Sequence, residues 1–291
     1  MDYYNEAVTR QNTARERYEK LKADRQQFLD RARECSELTI PSLIPDEGFN
    51  YSSDLYSPFQ SVGARGVNNL ASKLLLLLLP PNSPFFRLQV SGDAKKEMEE
   101  RTELKTEVEK SLADIEREVS KKIEELALRV SVFEALKHLI VGGNALLFMG
   151  KDGIKNYPLN RYVVNRDGNG NVLEIVTKEL ISRDVLGSDL PVKEPNTVVD
   201  ETKGTHTDDV EVYTCVKLEN GRWVWYQEVF DQIIPGSRST APKNASPWLV
   251  LTFNSVDGEQ YGRGRVEEFL GDLKSLEGLS QALVEGAAAA S

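Results

Sequence analysis

The spacing of apolar residues changes once along this 291-residue chain, and that change constrains its fold. Up to residue 141, apolar residues recur every three or four positions, which is the period of an amphipathic helix. Beyond that point, short β-rich stretches flank turn sequences at 167–170 (DGNG) and 219–221 (ENG), a pattern typical of antiparallel hairpins. Helices followed by antiparallel strands predict an α+β fold and not a doubly wound parallel sheet.

Helices are predicted over 5–36, 58–79, 93–128 and 131–141, the last ending at Gly142 and Gly143. The first carries a heptad-like stripe that the charged Arg25 interrupts, and we expect it to pack on a partner instead of forming a free coiled coil. The second begins after a predicted Ser57–Pro58 cap, is rich in small residues that permit close backbone approach, and ends in six leucines at 74–79. This leucine run predicts a buried helix end, with an interfacial membrane anchor as the alternative.

Strands are predicted at 85–90, 145–149, 162–164, 172–178, 210–217, 222–228 and 248–253, with long loops at 37–60 and 188–209. A final helix over 266–291 keeps its apolar period to the end without a terminating Gly or Pro. We therefore expect the chain to be cut inside a long helix; a frayed natural terminus is the alternative. Three parts are predicted: a mainly helical part at 1–150, an antiparallel β-rich part at 151–260, and the start of a long helix at 261–291.

Composition excludes several classes of protein. The net charge of −10 disfavours a free protein that grips nucleic acid over most of its surface, because phosphate contacts require a basic face. Two cysteines exclude a disulfide scaffold and a Cys-based zinc finger and fit a reducing compartment. Two histidines are too few for a His-rich metal site. The first residues contain no apolar signal core, so a soluble, cytoplasmic protein is expected.

The sequence contains the beginnings of two ligand-binding motifs, and neither motif is complete. Residues 167–171 imitate the start of a calcium loop, but Val172 and Lys178 stand where that loop requires Gly and Glu, so a hairpin turn is expected. Residues 261–265 (YGRGR) suggest a phosphate cradle, yet no Walker sequence follows, and a flexible helix entry is expected. Arg263 and Arg265 remain candidate contacts to an acidic partner or DNA phosphate. His138 is expected to be packed or at the surface. No catalytic residue, cofactor or metal is predicted, and the chain is not expected to be an enzyme.

Four runs together resemble the portal, or head–tail connector, proteins of short-tailed bacteriophages. They are 38–45 (LTIPSLIP), 61–74 (SVGARGVNNLASKL), 132–137 continuing to 143–147 (VFEALK and GNALL), and 261–263 leading to 267–277 (YGR and EEFLGDLKSLE). The hairpin at 162–167 (YVVNRD) fits as well. The resemblance runs in order through nearly the whole chain, but members of that family are considerably longer.

The resemblance implies a homo-oligomeric ring, typically of twelve subunits, at one vertex of the capsid. Double-stranded DNA passes through it during packaging and ejection. Separately, the net charge of −10 leads us to expect that this DNA is weakly held, because negative walls repel phosphate. Implied partners are the major capsid protein, a terminase during packaging, tail adaptor proteins and internal core proteins. The implied location is the virion, after assembly in the host cytoplasm, without a membrane. The chain would then be the wing with the start of a stem helix, and the family's DNA-gripping loops would lie mostly outside it.

For the contact between subunits, we select a polar strip on the small-residue helix, formed by Arg65, Asn68, Asn69 and Lys73. A solvated helix face or hydrogen bonding within one subunit is the alternative. Three other functions stay open: another structural virion protein such as an adaptor or scaffold, an enzyme whose site is assembled from dispersed carboxylates, and a membrane-surface protein acting through the leucine run.

Overall fold

The computed structural model describes residues 13–45, 54–81, 83–90, 102–182, 186 and 209–290. Its α-helices are α1 (Ala14–Glu37), α2 (Val62–Leu78), α3 (Thr102–Glu125), α4 (Leu128–Gly142) and α5 (Leu270–Ala290). Its strands are β1 (Asn144–Gly150), β2 (Gly153–Tyr157), β3 (Tyr162–Arg166), β4 (Val172–Ser182), β5 (Asp209–Glu219), β6 (Arg222–Val229), β7 (Gln232–Ile233), β8 (Ser239–Pro242) and β9 (Trp248–Thr252). All strand pairs are antiparallel, so the predicted α+β class is confirmed.

Helix α1 packs along the larger sheet with its heptad-like stripe. A capping box starts it, in which Thr13 and Glu16 each accept a hydrogen bond from the other's backbone N–H. Every stripe residue is buried: Ala14, Tyr18, Leu21, Arg25, Phe28, Ala32 and Cys35. Helix packing on a partner is therefore confirmed, while Arg25 continues the buried stripe where the sequence predicted an interruption.

Helix α2 begins four residues later than predicted. The side chain of Gln60 accepts a hydrogen bond from the backbone N–H of Gly63 at 3.0 Å, and its Nε2 donates to the Leu38 carbonyl oxygen at 2.8 Å. Gln60 thus takes the role predicted for Ser57 and Pro58. A β-carbon on Gly63 would stand 2.3 Å from the Leu38 carbonyl oxygen, which confirms the expected close backbone approach.

Helix α4 leads directly into the smaller sheet. It ends at Gly143, whose φ of 73° suits a glycine and whose N–H bonds to the Leu139 carbonyl oxygen. The chain then enters β1, the central strand of the order β2-β1-β9. Strand β2 was not predicted. The predicted helix over 93–128 is observed from Thr102 to Glu125, and its first part lies outside the described residues.

The larger sheet has the order β3-β4-β5-β6-β7, with β8 also pairing with β6. Both predicted hairpins are present. In the first, Asp167 Oδ1 accepts hydrogen bonds from the N–H groups of Asn169 and Asn171, as expected for a turn. In the second, Asn220 and Gly221 have positive φ angles. The predicted loop over 188–209 lies outside the described residues except for Asp209, which begins β5.

The strand predicted at 85–90 is wrong. Residues 84–90 run without a turn or bend, but they pair with no described strand. The backbone N–H of Leu88 donates instead to a side chain, Glu116 Oε1 of α3, at 2.5 Å. An apolar β-prone sequence therefore stays extended here without joining a ladder.

The main core connects all parts of the chain. It includes Leu29 of α1, Val67 of α2, Ile140 of α4, Val164 of β3 and Trp248 of β9. This core crosses residue 150, where one predicted part was expected to end, so the three-part division stays a prediction. Within the described residues, no helix is long and apolar enough to cross a membrane, and no group of side chains is arranged to hold a metal ion.

Candidate subunit interface

Helix α5 leaves most of its surface uncovered. Glu277 is its one buried residue, and every residue from 281 to 290 is exposed. Three of the exposed side chains are large and apolar: Leu279, Leu283 and Val284, which are 65%, 74% and 54% exposed. An apolar helix surface of this kind indicates a contact that this chain does not provide among its described residues.

The far end of α2 is also uncovered. Leu76, Leu77 and Leu78 are 55%, 78% and 54% exposed, so the predicted buried helix end is wrong for a single subunit. The reason lies in which face of α2 is packed: Val67 and Ala71 are buried and Leu74 and Leu75 pack partly against the core, whereas the three leucines that follow stay mostly exposed.

The predicted polar strip lies on an exposed face of α2. Arg65, Asn68, Asn69 and Lys73 are all exposed. Their side chains form no hydrogen bond or ion pair with any other residue that the structure describes. Hydrogen bonding within the subunit is thus not observed for this strip, which leaves subunit contact and hydration as the alternatives.

An apolar groove of about 410 Å³ separates α2 from the start of α5. Its walls are mostly aliphatic and include Val62, Leu70 and Leu273. Gly66 lines it as well, and a β-carbon there would meet no atom within 4 Å. Glycine lowers helix stability by about 1 kcal/mol relative to alanine, and nothing described within the subunit requires it at this position.

Glu277 joins α5 to the segment before α2. Its Oε1 accepts hydrogen bonds from the Tyr56 hydroxyl at 2.6 Å and from the Phe59 backbone N–H at 2.8 Å. Burial acts to raise the pKa of Glu277, but these hydrogen bonds outweigh it and hold the pKa below its usual range. The same interaction raises the pKa of Tyr56. The carboxylate therefore fixes where α5 lies against the entry to α2.

The entry to α5 is packed, so the predicted flexible segment at 261–265 is wrong. A β-carbon on Gly264 would stand 2.3 Å from the Val141 carbonyl oxygen, and one on Gly262 would stand 2.8 Å from the Gly143 carbonyl oxygen. Asn144 holds the same segment, because its Oδ1 accepts from the Gly262 N–H at 2.8 Å. The two glycines are thus required by close backbone contact with the end of α4.

Arg263 is held by two carboxylates. Its guanidinium lies 2.5 Å from Glu259 Oε1 and 2.8 Å from Glu267 Oε1, and Arg31 of α1 contacts Glu267 at 3.0 Å. The hydrogen bond with Glu259 raises the pKa of Arg263 and lowers that of Glu259. Arg263 therefore joins the ends of its own segment and is already engaged.

Arg265 is the freer of the two arginines. It is about half exposed, pairs with Glu268 at 2.6 Å and lies over the ring of Phe269. Exposed pairs of this type are weak, so its guanidinium is available to a partner. No hydrogen bond or ion pair among the described residues joins Arg263 or Arg265 to the strip on α2, and their proposed phosphate contact stays a prediction.

Sequence reasoning missed the residues that position these surfaces, chiefly Gln60, Glu259 and Glu277. One signal was present for Glu277: it follows Leu276 and continues the apolar spacing of Leu270 and Leu273. An acidic residue at a core position predicts a polar partner across the contact. The identity of that partner, Tyr56, depends on a chain reversal that sequence spacing does not contain.

Comparison with known proteins places the chain among phage connectors. The family model described as "Bacteriophage head to tail connecting protein" matches residues 11–291. The portal protein of Enterobacteria phage T3 is 42% identical over 281 residues, which are 94% of this chain and 51% of the T3 protein. The portal protein of Escherichia phage T7 is 40% identical over 274 residues, 92% of this chain and 51% of the T7 protein. That of Enterobacteria phage SP6 is 33% identical over 275 residues, 93% of this chain and 52% of the SP6 protein.

The chain thus spans about half the length of the curated relatives that it matches. The four runs that carried the resemblance all fall inside the matched region. The resemblance to portal proteins of short-tailed phages is therefore confirmed, and this chain belongs to the family of bacteriophage head-to-tail connecting proteins.

Proposed function

We propose that this chain is part of a portal subunit, and that identical subunits form a ring at one capsid vertex through which double-stranded DNA enters and leaves. One observation carries the proposal: four proteins named portal protein match this chain, each over at least 87% of its length. Twelve subunits is the number that the resemblance suggests.

The uncovered surfaces of the subunit support assembly into a ring. The leucines at the end of α2, the groove beside Gly66 and the apolar residues of α5 all lack a described cover. Different patches of one chain that complement each other produce a head-to-tail contact, which closes into a ring when the rotation permits. We place Arg65, Asn68, Asn69 and Lys73 in that contact.

The proposed role is mechanical. The ring guides DNA and holds partners, and it makes or breaks no covalent bond. A separate terminase supplies the packaging motor and docks to the ring, tail adaptor proteins take its place afterwards, and the major capsid protein and internal core proteins surround it. Arg265 is the better placed of the two arginines for such a partner or for a DNA phosphate, because its ion pair with Glu268 is exposed.

DNA is expected to be held weakly. The chain carries a net charge of −10, and a channel that lets DNA slide benefits from walls that do not bind phosphate. Weak binding appears as low affinity with little dependence on salt, because few counterions are released. Tight, salt-sensitive binding of DNA by isolated rings contradicts this part of the proposal.

Imaging and mass measurement test the proposal directly. Negative-stain images of the purified full-length protein should show rings with a central hole, and native mass spectrometry should give one closed subunit number. A monomer or an open chain of subunits under conditions where the protein is folded overturns the ring. A globular particle without a hole points to another structural virion protein.

A further inference from the structure

The segment 85–90 (FFRLQV) has one open edge, and we refer to it as the extended segment. Its Leu88 N–H donates to Glu116 Oε1 on α3. Because successive N–H groups of an extended chain point to opposite sides, those of Phe85, Arg87 and Gln89 point away from that contact. No described residue bonds to them. Phe85 and Leu88 are also 41% and 39% exposed. The extended segment therefore offers the hydrogen-bonding edge and the apolar side chains of a strand.

Two of the outer strands in the described part of the chain, β3 and β2, have covered edges. Along β3, the Val164 N–H donates to the Tyr261 hydroxyl at 2.9 Å and the Arg166 N–H donates to Gln260 Oε1 at 2.8 Å. Beside β2, Asn156 Nδ2 donates to the Ser131 carbonyl oxygen at 2.7 Å, so α4 covers that edge. These contacts occupy both edges.

Strand β9 is open in its middle. Met149 N–H bonds to the Pro247 carbonyl oxygen and Phe253 N–H to the Gly143 carbonyl oxygen, so the backbone N–H and C=O groups of the odd-numbered residues of β9 point toward β1. The backbone groups of the even-numbered residues point to the other side, away from β1. The backbone N–H and C=O of Trp248 both bond to the Ser246 hydroxyl, and the backbone of Asn254 pairs with that of Arg263. The backbone groups of Val250 and Thr252 have no hydrogen-bond partner among the described residues.

The open edge of β9 is also unguarded by charge. Proteins protect exposed edges with charged residues, prolines or bulges. The unpaired end of β4 follows this rule, since Lys178 pairs with Glu211 at 2.7 Å and Glu179 pairs with Lys155. Strand β9 reads Trp-Leu-Val-Leu-Thr and contains no charged residue. Such an edge is a template for another strand.

We propose that the extended segment of one subunit adds as a strand to β9 of the neighbouring subunit, which makes it a ladder between copies of this chain. This inference rests on the proposed ring. Both halves of the ladder are on one chain, yet they do not pair with each other: among the described residues, the extended segment bonds to α3 and β9 pairs with β1 alone. A donor at one place and an acceptor at another is the head-to-tail arrangement that a ring requires.

Engineered cysteines test the pairing. The two native cysteines, Cys35 and Cys215, are buried, and burial raises the pKa of the first to about 12 and of the second to about 11, so they contribute little background. In an antiparallel ladder that pairs Phe85 with Thr252 and Arg87 with Val250, Leu88 stands directly opposite Leu249. Both side chains are exposed. In the full-length protein, the double variant Leu88→Cys/Leu249→Cys should give, on oxidation, a ladder of linked subunits up to the full ring on a denaturing gel.

Matched variants and a second measurement keep the outcomes distinct. Each single cysteine variant, and Leu88→Cys combined with Lys151→Cys on the exposed β1–β2 turn, should stay monomeric on the same gel. Hydrogen exchange should show the amides of Val250 and Thr252 protected in rings and unprotected in dissociated subunits. Rings without a ladder and without this protection overturn the inference and leave the ring intact. A crosslink confined to single chains also overturns it, and absence of any ring overturns the proposed function as well.

Discussion

Arg25 of α1 donates a hydrogen bond from Nη1 to the backbone carbonyl oxygen of Tyr162, 2.9 Å away, at the start of β3. The same nitrogen lies 3.1 Å from the carbonyl oxygen of Leu159 and 3.1 Å from the Tyr18 hydroxyl. Arg25 has no measurable exposure. A single buried guanidinium therefore joins the first helix to backbone groups that lie more than 130 residues later in the chain.

Replacing Arg25 by methionine should destabilise the subunit by about 3 kcal/mol. Methionine fills similar space, but the two carbonyl groups and the Tyr18 hydroxyl lose their donor, and an unsatisfied buried polar group costs about 1–3 kcal/mol. The measurement is the free energy of unfolding from urea titration. Lys20→Met, on the exposed face of the same helix, is the control and should change stability by less than about 0.5 kcal/mol. Equal stability of the two variants would show that Arg25 does not hold α1 to the sheet.

Local patterns predicted α1 well, and tertiary contacts determined the rest. Every residue of the heptad-like stripe is buried, because burial follows periodicity, although Leu29 and Ser36 beside the stripe are buried as well. The spacing wrongly predicted that Arg25 interrupts the stripe. The carbonyl groups that accept its hydrogen bonds and allow its burial come from residues 159 and 162, which are distant in sequence. The extended segment shows the reverse error: its apolar, β-prone sequence predicted a strand, but no described strand lies beside it. Strand formation depends on an edge that a single segment does not supply.

Two glycines on α2 should respond oppositely to alanine. Gly63→Ala places a β-carbon 2.3 Å from the Leu38 carbonyl oxygen, so either α2 or the end of α1 must move, at a cost of about 1–3 kcal/mol. Gly66→Ala meets no atom within 4 Å and should stabilise the isolated subunit by up to about 1 kcal/mol. Thermal unfolding of dissociated subunits measures both. Equal stability of Gly63→Ala and Gly66→Ala would contradict the close contact between Gly63 and Leu38.

His138 should make the subunit sensitive to mild acid. Burial lowers its pKa from 6.5 to about 4, with Glu134 acting in the opposite direction. The unfolded chain therefore binds a proton that the folded chain resists, so stability is lost as pH falls from about 6.5 towards 4 and is constant above that window. The loss approaches about 3 kcal/mol at the lower limit.

The variant His138→Gln isolates this effect from other titrating groups. Glutamine does not titrate, so the stability difference between the variant and the original protein should be constant from pH 7 to 8 and should shift in favour of the variant as the pH falls below 6.5. Urea unfolding at several pH values measures the difference. A difference that does not vary with pH excludes His138 as the titrating group.

Glu277 should control the segment before α2. Its carboxylate holds the Tyr56 hydroxyl and the Phe59 N–H, and its lowered pKa means that this contact is present above the ordinary carboxyl pKa and is lost as the pH falls through the folded value. At neutral pH, Glu277→Ala should reduce the hydrogen-exchange protection of the Phe59 amide. Glu277→Gln keeps an acceptor oxygen without the charge, so its protection of the Phe59 amide should lie between that of Glu277→Ala and that of the original protein.

The control for this prediction lies two turns further along α5. Glu285 is exposed and accepts a hydrogen bond only from Gln281 within the described residues, so Glu285→Ala should leave the Phe59 amide unchanged. If Glu277→Ala also leaves it unchanged, the contact between α5 and this segment does not depend on the carboxylate.

The candidate interface was partly visible in the sequence because exposed polar residues follow helical spacing. Arg65, Asn68, Asn69 and Lys73 lie on the predicted face of α2, and the structure places all four at the surface. The groove beside them was not predictable, since its second wall comes from Leu273 and Leu276 of α5, about 200 residues later in the chain. Surfaces formed by distant segments depend on the packing that brings those segments together.

Reversing the charge of Arg65 tests whether the polar strip joins subunits. Arg65 is exposed and contacts no described residue through a hydrogen bond or ion pair, so Arg65→Glu should leave the unfolding free energy of the isolated subunit within about 0.5 kcal/mol of the original. At a contact between subunits, the added negative charge should lower the equilibrium constant of each contact roughly ten-fold, which corresponds to about 1.4 kcal/mol per contact. Because a closed ring repeats this contact between every pair of neighbours, closed rings should be largely lost. Native mass spectrometry counts the rings.

Lys110→Glu makes the same charge change on the exposed face of α3 and should assemble normally. Because both variants add the same net charge, a loss of rings in Arg65→Glu alone identifies the strip on α2, whereas normal rings in both variants remove Arg65 from the interface.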